Sequence, residues 1–507
     1  MKKQIIAIIG AALLMQACSG KLDLTPISSL SNESYWKTPD QFDAFVTGVH
    51  AAFRNNNGAF QSLGEMRSDI FGTETVLGPS FTGEATQGVE RMWLQTMDLD
   101  APGVSNFGGF YFNINQLNLL ISKTTATSLL TPANRNYYLG QAYGMRAFYY
   151  FQLLRSWGNV IITTTPSTSV DIGNLAKAAS PAEEVMKLIK SDIDSSVSNF
   201  GADYSFRNQK GFWSKAATLM LKAEAYLWTS YRGGGAADAT VAKNALTDIQ
   251  TNVPSLGLMD NFADVFSSNS KGNKEMIFAI RYKLNEATIG FVPGQFVPQS
   301  GLIANFYDSL ANRQFDVATD NWGGLLRAPV RVATFRQYSD ADSRKYATIQ
   351  PAYTKTGGSY AIVGAFAKKY QGEQNAGARA YTNDFPIYRY ADLLLLLAES
   401  KVLLGEDPAA EINKVRARAY GSNYTNAYAY PNQAVDKDAK EALLRERLLE
   451  FVFEGKRWYD LRRMGDNYVY KYTTLKSAEA YKLLWPIDRN SLTNNRSLVQ
   501  TPGYAQF

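Results

Sequence analysis

Cysteine and histidine are nearly missing from this chain: one of each, Cys18 and His50, in 507 residues. A zinc centre of thiolate and imidazole ligands needs several such groups, so none can be assembled here. A lone cysteine also rules out a disulfide within the chain. A nucleophile activated by imidazole would have to use His50, which sits in FDAFVTGVHAAF, a helical stretch where a packing role is the simpler reading. There is no GxSxG elbow, no Walker loop and no GxGxxG turn. The charge excess is small, 52 Lys and Arg against 46 Asp and Glu. No basic run interleaves with aromatics, which argues against nucleic acid as a partner. Apolar runs of about 18 residues, long enough to span a bilayer, are missing as well. Metal sites built from oxygen ligands leave weak traces in sequence, and none is assigned; no cofactor is expected.

What the chain has in quantity is aromatic surface. Thirty Tyr, 27 Phe and 8 Trp make 13% of it, enough for a large core and an aromatic-lined binding face besides. The balance of 45% apolar and 19% charged residues is that of a folded globular chain. At the N-terminus, two lysines precede a short apolar run, Ile5 to Met15, and then a small residue before Cys18. This is the layout of a secretory signal, with the only cysteine standing where a signal peptidase would cut. It resembles a bacterial lipoprotein signal, in which Cys18 becomes the acylated N-terminus. At about 0.8 kcal/mol per buried methylene, several acyl chains hold a protein firmly to a membrane. Residues 1–17 are thus read as signal peptide, 18–38 as anchor and tether, and 39–507 as one body.

Along the body, apolar residues recur at helical spacing. The pattern predicts helices over Pro39 to Arg54, Phe110 to about Lys123, Pro132 to Trp157, Pro181 to Phe200, Trp213 to Tyr231 and Ala239 to Val253. Further helices are predicted over Tyr388 to Leu404 and Ala409 to Tyr420. Gly- and Pro-marked turns join them in pairs, and small residues (Ala216, Ala217, Ala223, Ala225) stand where helices would meet closely. That is the layout of helical repeats of the tetratricopeptide kind. The repeats are placed at about 39–55, 110–255 and 388–465. Between them, 56–109 and 256–387 read as a loop-rich lobe with short strands such as Met276 to Ile280. Loops this long in a compact body are more often functional than idle.

Lys440 to Gly465 reads as one charged helix, capped by Asp438 with Glu441 three residues on and stopped by Gly465. Beside its apolar face crowd Glu446, Arg447, Glu450, Glu454, Arg457, Asp460, Arg462 and Arg463. Two carboxylates roughly 5–10 Å apart would suit glycosidic acid–base chemistry, and Glu446 and Glu450 meet that spacing. Adjacent arginines would, however, keep both ionised and leave the pair without an acid. The reading preferred here is a salt-bridged strut, its charges pairing with one another and with Arg389, Asp392, Glu399 and Arg416.

Several stretches, in order, resemble the SusD/RagB family of outer-membrane nutrient-binding lipoproteins of Bacteroidetes. Arg146-Ala147 through Tyr150-Phe151 to Leu153, with Trp157-Gly158 after it, is similar to one family helix, and Ser214 to Leu227 to a second. Arg389-Tyr390-Ala391-Asp392 opens a third, and Ile412 to Ala419 follows. Glu446-Arg447 through Arg457-Trp458-Tyr459-Asp460-Leu461 is the most specific signature, and Pro486-Ile487 with Gln500 to Tyr504 closes the series. The resemblance implies a mainly α fold: a tetratricopeptide-like superhelix of about four helix pairs with an irregular lobe packed on it. It also implies a non-catalytic, lipid-anchored protein of the cell surface. Such a protein captures oligosaccharides and passes them to a SusC-like TonB-dependent outer-membrane barrel. A branch of the family captures peptides, which remains an alternative, as do a lipid-anchored glycosidase and a helical adaptor.

A sugar offers C–H groups to an aromatic face and hydroxyls to polar side chains, so its site needs both together. Trp322, flanked by Asp320 and Asn321 in DNWGG, is the first candidate in the loops. Trp93, Tyr282 and Tyr338 are further aromatic candidates, and Arg67 and Asp69 are polar ones placed by position alone.

Overall fold

A computed structural model describes residues 35–73, 87–167, 176–432 and 434–507. The expected signal peptide and the expected anchor residue Cys18 lie outside the described residues. Helix α1 (Pro39–Asn55) shows why the helices start where they do. Thr38 and Gln41 form a reciprocal capping box and Pro39 occupies the first turn, where a missing N–H costs nothing. Phe42, Val46, Val49 and Phe53 then face inward. Helix α4 (Pro132–Trp157) begins likewise, with the Thr131 hydroxyl accepting from Asn134 N. It ends at Gly158, whose φ of 77° no β-carbon would favour.

The long helices form a chain of pairs. They are α1 with α3 (Phe107–Ala126), α4 with α5 (Ala182–Phe200), α6 (Lys215–Thr229) with α7 (Gly235–Asn252), and α8 (Tyr390–Leu404) with α9 (Ala409–Tyr420). Between pairs, α3 packs on α4, α5 on α6 and α7 on α8, so each pair leans on the next as in a solenoid. Ala216, Ala217, Ala223 and Ala225 of α6 are fully buried, as are Ala239 and Ala242 of α7, which lets these helices approach closely. The predicted repeat layout is observed.

Three predicted elements differ. Asn56 was expected to begin the loop-rich lobe, yet α2 (Asn57–Glu65) follows α1 after a single residue. In the lobe, the strands are longer than expected. Short strands β2 (Tyr307–Asp308) and β3 (Arg313–Gln314) extend an antiparallel hairpin of β4 (Ile349–Thr356) and β5 (Ser359–Ala367), in the order β3-β2-β4-β5. The predicted strand Met276–Ile280 is β1, buried throughout and paired with Phe385–Arg389 at the mouth of α8. Finally, Lys440 to Gly465 is two helices, α10 (Ala439–Phe451) and α11 (Arg457–Met464). Asp438 caps α10 as expected, accepting from Lys440 N and Glu441 N, whereas the Glu441 carboxylate turns away to Lys471 and Tyr472.

The break between α10 and α11 is built around Glu65. Phe453 and Gly455 both adopt φ of 72°, and their N–H groups donate to the two Glu65 carboxylate oxygens at 2.8 and 3.2 Å. Helix α2 meets this turn so closely that a β-carbon on Gly64 would stand 1.7 Å from the Gly455 carbonyl oxygen.

Buried charge ties these parts together. Arg389, at the end of β6 (Phe385–Arg389), is 2.6 Å from Glu450, 2.7 Å from Glu275 and 2.8 Å from Glu454, all fully buried. Arg344 joins Glu446 at 2.7 Å and Glu450 at 2.9 Å, and Arg418 reaches Glu450 as well. Arg416 meets Glu446 at 2.9 Å, Arg447 meets Asp392 at 2.8 Å, and Arg463 meets Glu399 at 2.7 Å. Arg389, Asp392, Glu399 and Arg416 do pair within this cluster, and Arg344, Arg418 and Glu275 join it from outside the expected set. The pairs run mostly between elements, with Arg463–Asp460 the one helical-neighbour pair in this network.

Three outcomes follow for stability. Gly64→Ala forces backbone apart at the α2 turn and is expected to cost about 2 kcal/mol or more in urea unfolding. Burial pushes Glu450 up, but Arg418, Arg389 and Arg344 outweigh it and hold the carboxyl well below the usual range. Such a group stabilises fully above its unfolded value, and the contribution is lost as pH falls toward the folded one. Wild-type stability should thus decline from about pH 4 downward, while Glu450→Gln should lose about 3–5 kcal/mol at neutral pH by stranding buried guanidinium groups.

Candidate functional site

Five of the predicted binding residues are framework. Trp93 is 5% exposed in a short helical turn. Tyr282 is buried with its hydroxyl accepting from Asn57 at 2.9 Å, and Tyr338 donates to the Leu449 carbonyl at 2.9 Å. Arg67 is fully buried, its guanidinium 4.2 Å from the Trp458 ring and 5.0 Å from that of Trp485. Its Nε donates to Gln95 at 2.8 Å. Asp69 binds Arg457 through both oxygens, at 2.8 and 2.9 Å. Composition selected the three aromatics and position the two polar residues, but the aromatics and Arg67 are buried and Asp69 is held by Arg457.

Asp320, Asn321 and Trp322 do form one corner of the lobe. Asp320 accepts from both Arg313 terminal nitrogens, at 2.6 and 2.7 Å, and from Asp316 N at 2.7 Å. Asn321, at a φ of 50°, donates to the Gln374 side chain. Trp322 itself is a correction: it is 6% exposed, with the Arg379 guanidinium 4.2 Å over its ring and Phe366 edge-on at 5.2 Å. Arg379 also donates to the Asp320 and Asn321 carbonyls, so it clamps the corner over the indole. The tight path after Trp322 requires glycine: a β-carbon on Gly324 would stand 2.3 Å from the Pro293 carbonyl oxygen.

Aromatic faces open to solvent lie beside this corner, on residues composition did not single out. Tyr307 of β2, Tyr353 of β4 and Tyr360 of β5 are half-buried, with Tyr360 standing 6.0 Å from Tyr307 and 5.9 Å from Tyr353 between ring centres. The Tyr360 hydroxyl donates to Asn312 at 2.6 Å, and the Lys355 ammonium lies 4.9 Å from the Tyr360 ring. Asn312 adjoins Arg313, and through it Asp320, so side chains along the sheet edge link the tyrosines to the corner. The signal for this hairpin was present: Gly357 and Gly358, at φ of 57° and 88°, separate two runs rich in β-branched and aromatic residues. The arrangement offers ring faces to C–H groups, with amide, carboxylate and guanidinium groups at their rim.

Glu446 and Glu450 do not form a working acid–base pair. Both are buried and bound to arginines; burial pushes Glu446 up, yet Arg344 and Arg416 hold it below the usual range. A carboxyl so held cannot serve as general acid. His50 is occupied too: its Nδ1 lies 2.8 Å from the Val46 carbonyl oxygen, and its Nε2 accepts from Trp213 N at 2.9 Å. Burial lowers its pKa to about 4, which keeps the ring neutral.

The comparisons with known proteins agree with this fold along its length. Residues 319–504 match the model of the SusD family. A SusD superfamily protein from Bacteroides vulgatus is 44% identical, with 93% of this chain and 100% of that one covered at a TM-score of 0.85. The chain belongs to the SusD family. B. fragilis NanU is 46% identical over 95% of this chain and 99% of its own, with a TM-score of 0.87. A more distant SusD-like fold is surface glycan-binding protein A from Bacteroides thetaiotaomicron in complex with laminarihexaose. It is 20% identical over 92% of this chain and 99% of that one, with a TM-score of 0.70. Among the described residues, no helix is long and apolar enough to cross a membrane.

Asp69 tests the division between framework and site. Asp69→Ala leaves Arg457 buried without its counter-charge and is expected to cost about 3–5 kcal/mol of stability. The ligand affinity of the protein that remains folded should be unchanged in calorimetry.

Proposed function

We propose that this SusD-family protein is a non-catalytic, lipid-anchored binding protein of the cell surface that captures oligosaccharides and hands them to a TonB-dependent outer-membrane transporter. The observation that carries the reading is the full-length kinship with the SusD family. The laminarihexaose complex of a protein with the same fold supports a glycan as the ligand class. The lipoprotein-like arrangement of residues 1–18 supports the surface anchor, and the family resemblance supports the SusC-like barrel as partner.

For the place of capture, the reading favours the face formed by Tyr307, Tyr353 and Tyr360 with Asn312, Asp320 and Asn321. Stacked rings are worth about 0.5–1.5 kcal/mol beyond the area they bury, so three tyrosines suffice for the weak, reversible hold that a relay to a transporter needs. Their rim is held by Arg313 and Arg379, so little ordering is required on binding.

Calorimetry of the mature chain against oligosaccharide and oligopeptide panels tests this. Binding of at least one glycan is expected, weakened about tenfold, or about 1.4 kcal/mol, in Tyr360→Ala. Silence across the glycans with clear binding of peptides would instead establish the peptide-capturing alternative. Release of sugar products by the wild type would contradict the non-catalytic reading.

A further inference from the structure

Far along the chain from the tyrosine face, two cavities open on either side of one exposed ring. Phe112, on α3, is 64% exposed. On one side lies a cavity of about 370 Å³, whose walls include Tyr111, Ile161, Asn494, Asn495 and Leu498. On the other lies one of about 620 Å³, with Trp36, Phe45, Val49 and Leu119 in its wall. Phe112, Asn115 and Ser167 border both, so the phenyl ring is the ridge of a continuous trough. Each half falls within the roughly 300–1,000 Å³ of small-molecule sites.

The lining selects a class of ligand. Among the described residues, the only charged side chain bordering either cavity is Lys177, and no carboxylate does so, in a chain with 46 acidic residues. A phosphorylated or polyanionic ligand would call for a cluster of cations. A peptide captured by strand addition would call for a free strand edge, whereas α1 and α3, whose backbone groups are paired within the helices, supply much of this wall. What the trough supplies is ring faces and neutral hydrogen-bonding groups. Asn115 is set by Ser167, to which its amide donates at 3.3 Å and from whose N–H it accepts at 2.7 Å. Asn495 is held in the same way, donating to the Lys177 carbonyl at 2.7 Å and accepting from Ser497 N at 3.1 Å. Trp36 is propped by Phe42 and Phe45, with ring centres at 4.8 and 4.6 Å. Aromatic surface flanked by amides, almost without charge, matches a neutral polyhydroxylated chain.

We propose that the trough across Phe112 is a second oligosaccharide-binding site, separate from the tyrosine face, with Phe112 stacking on a sugar ring and Asn115, Asn494 and Asn495 meeting hydroxyls. The inference rests on the glycan reading above and adds a site to it. The mature full-length chain is titrated with maltoheptaose and with laminarihexaose, as wild type, Phe112→Ala, Asn494→Ala, Tyr360→Ala and the Phe112→Ala/Tyr360→Ala double variant. Phe112 is exposed, so its removal leaves the fold intact, which circular dichroism checks. A loss of about tenfold in affinity, or of one binding equivalent, is expected in Phe112→Ala and independently in Tyr360→Ala, with both effects combined in the double variant. In crystals soaked with the bound sugar, density is expected across Phe112. Binding unchanged by Phe112→Ala and Asn494→Ala, but lost in Tyr360→Ala, would overturn the second site and leave the proposed function standing. A folded wild type that binds neither sugar would overturn the trough as a site for neutral glucans, while the wider panel above would still decide the function.

Discussion

The structure depends on the desolvated charge around Arg389 and Glu450. Each of these groups alone would be expelled from a protein interior, since burying an unpaired ion costs several kcal/mol. Together they are admissible only as a complete set. Glu450 needs Arg344, Arg389 and Arg418, and these come respectively from the segment before β4, the end of β6 and α9. The set therefore closes only when the loop-rich lobe, the last helix pair and α10 have all arrived. Hydrophobic packing is tolerant of small slips; a bidentate guanidinium is not. The network acts as a register lock between two parts of the molecule that share no regular secondary structure.

The same completeness explains why the most conspicuous charges are not the functional ones. An acid–base catalyst needs a group poised between two protonation states near working pH. Full pairing drives a carboxylate away from that condition, and every arginine added to the cluster drives it further. Ligand recognition without chemistry has the opposite requirement: polar groups held still, with hydrogen-bonding capacity to spare, beside apolar surface that water leaves readily. Asn312 and Asn321 meet it at the edge of the sheet.

Legibility of the sequence divides along the same line. Helices whose caps and periodicity are local, such as Pro132–Trp157 and Ala409–Tyr420, could be read to the residue. So could part of the charged cluster: Asp392, Glu399 and Arg416 sit on helices with recognisable faces and Arg389 directly precedes α8, whereas Arg344, Arg418 and Glu275 join it unannounced. The break within Lys440 to Gly465 was not legible. Nothing in Phe453-Glu454-Gly455 announces positive φ at Phe453; the conformation is imposed by Glu65, almost four hundred residues earlier, which takes the N–H groups freed by the bend. The candidate site suffered from a related limit. Composition ranks tryptophan above tyrosine as a platform, but a large indole is also what a core recruits most strongly. Trp322 and Trp93 went inward, and the exposed rings fell to Tyr307, Tyr353 and Tyr360, which were visible only through the twin-glycine turn that folds β4 on β5.

That exchange has a physical basis that bears on how the protein binds. Trp322 fixes Arg379 by a cation–π contact, Arg379 fixes the carbonyls of Asp320 and Asn321, and Arg313 fixes the Asp320 carboxylate. The indole thus contributes to the site from beneath, as the support that keeps the polar rim in one geometry. The tyrosines can then remain half-exposed without collapsing onto the rim, since the Asp320 carboxylate and the Asp320 and Asn321 carbonyls are already held by arginines. A surface arranged in this way needs little reorganisation to receive a ligand and little to release it, which suits a protein that must give up what it captures.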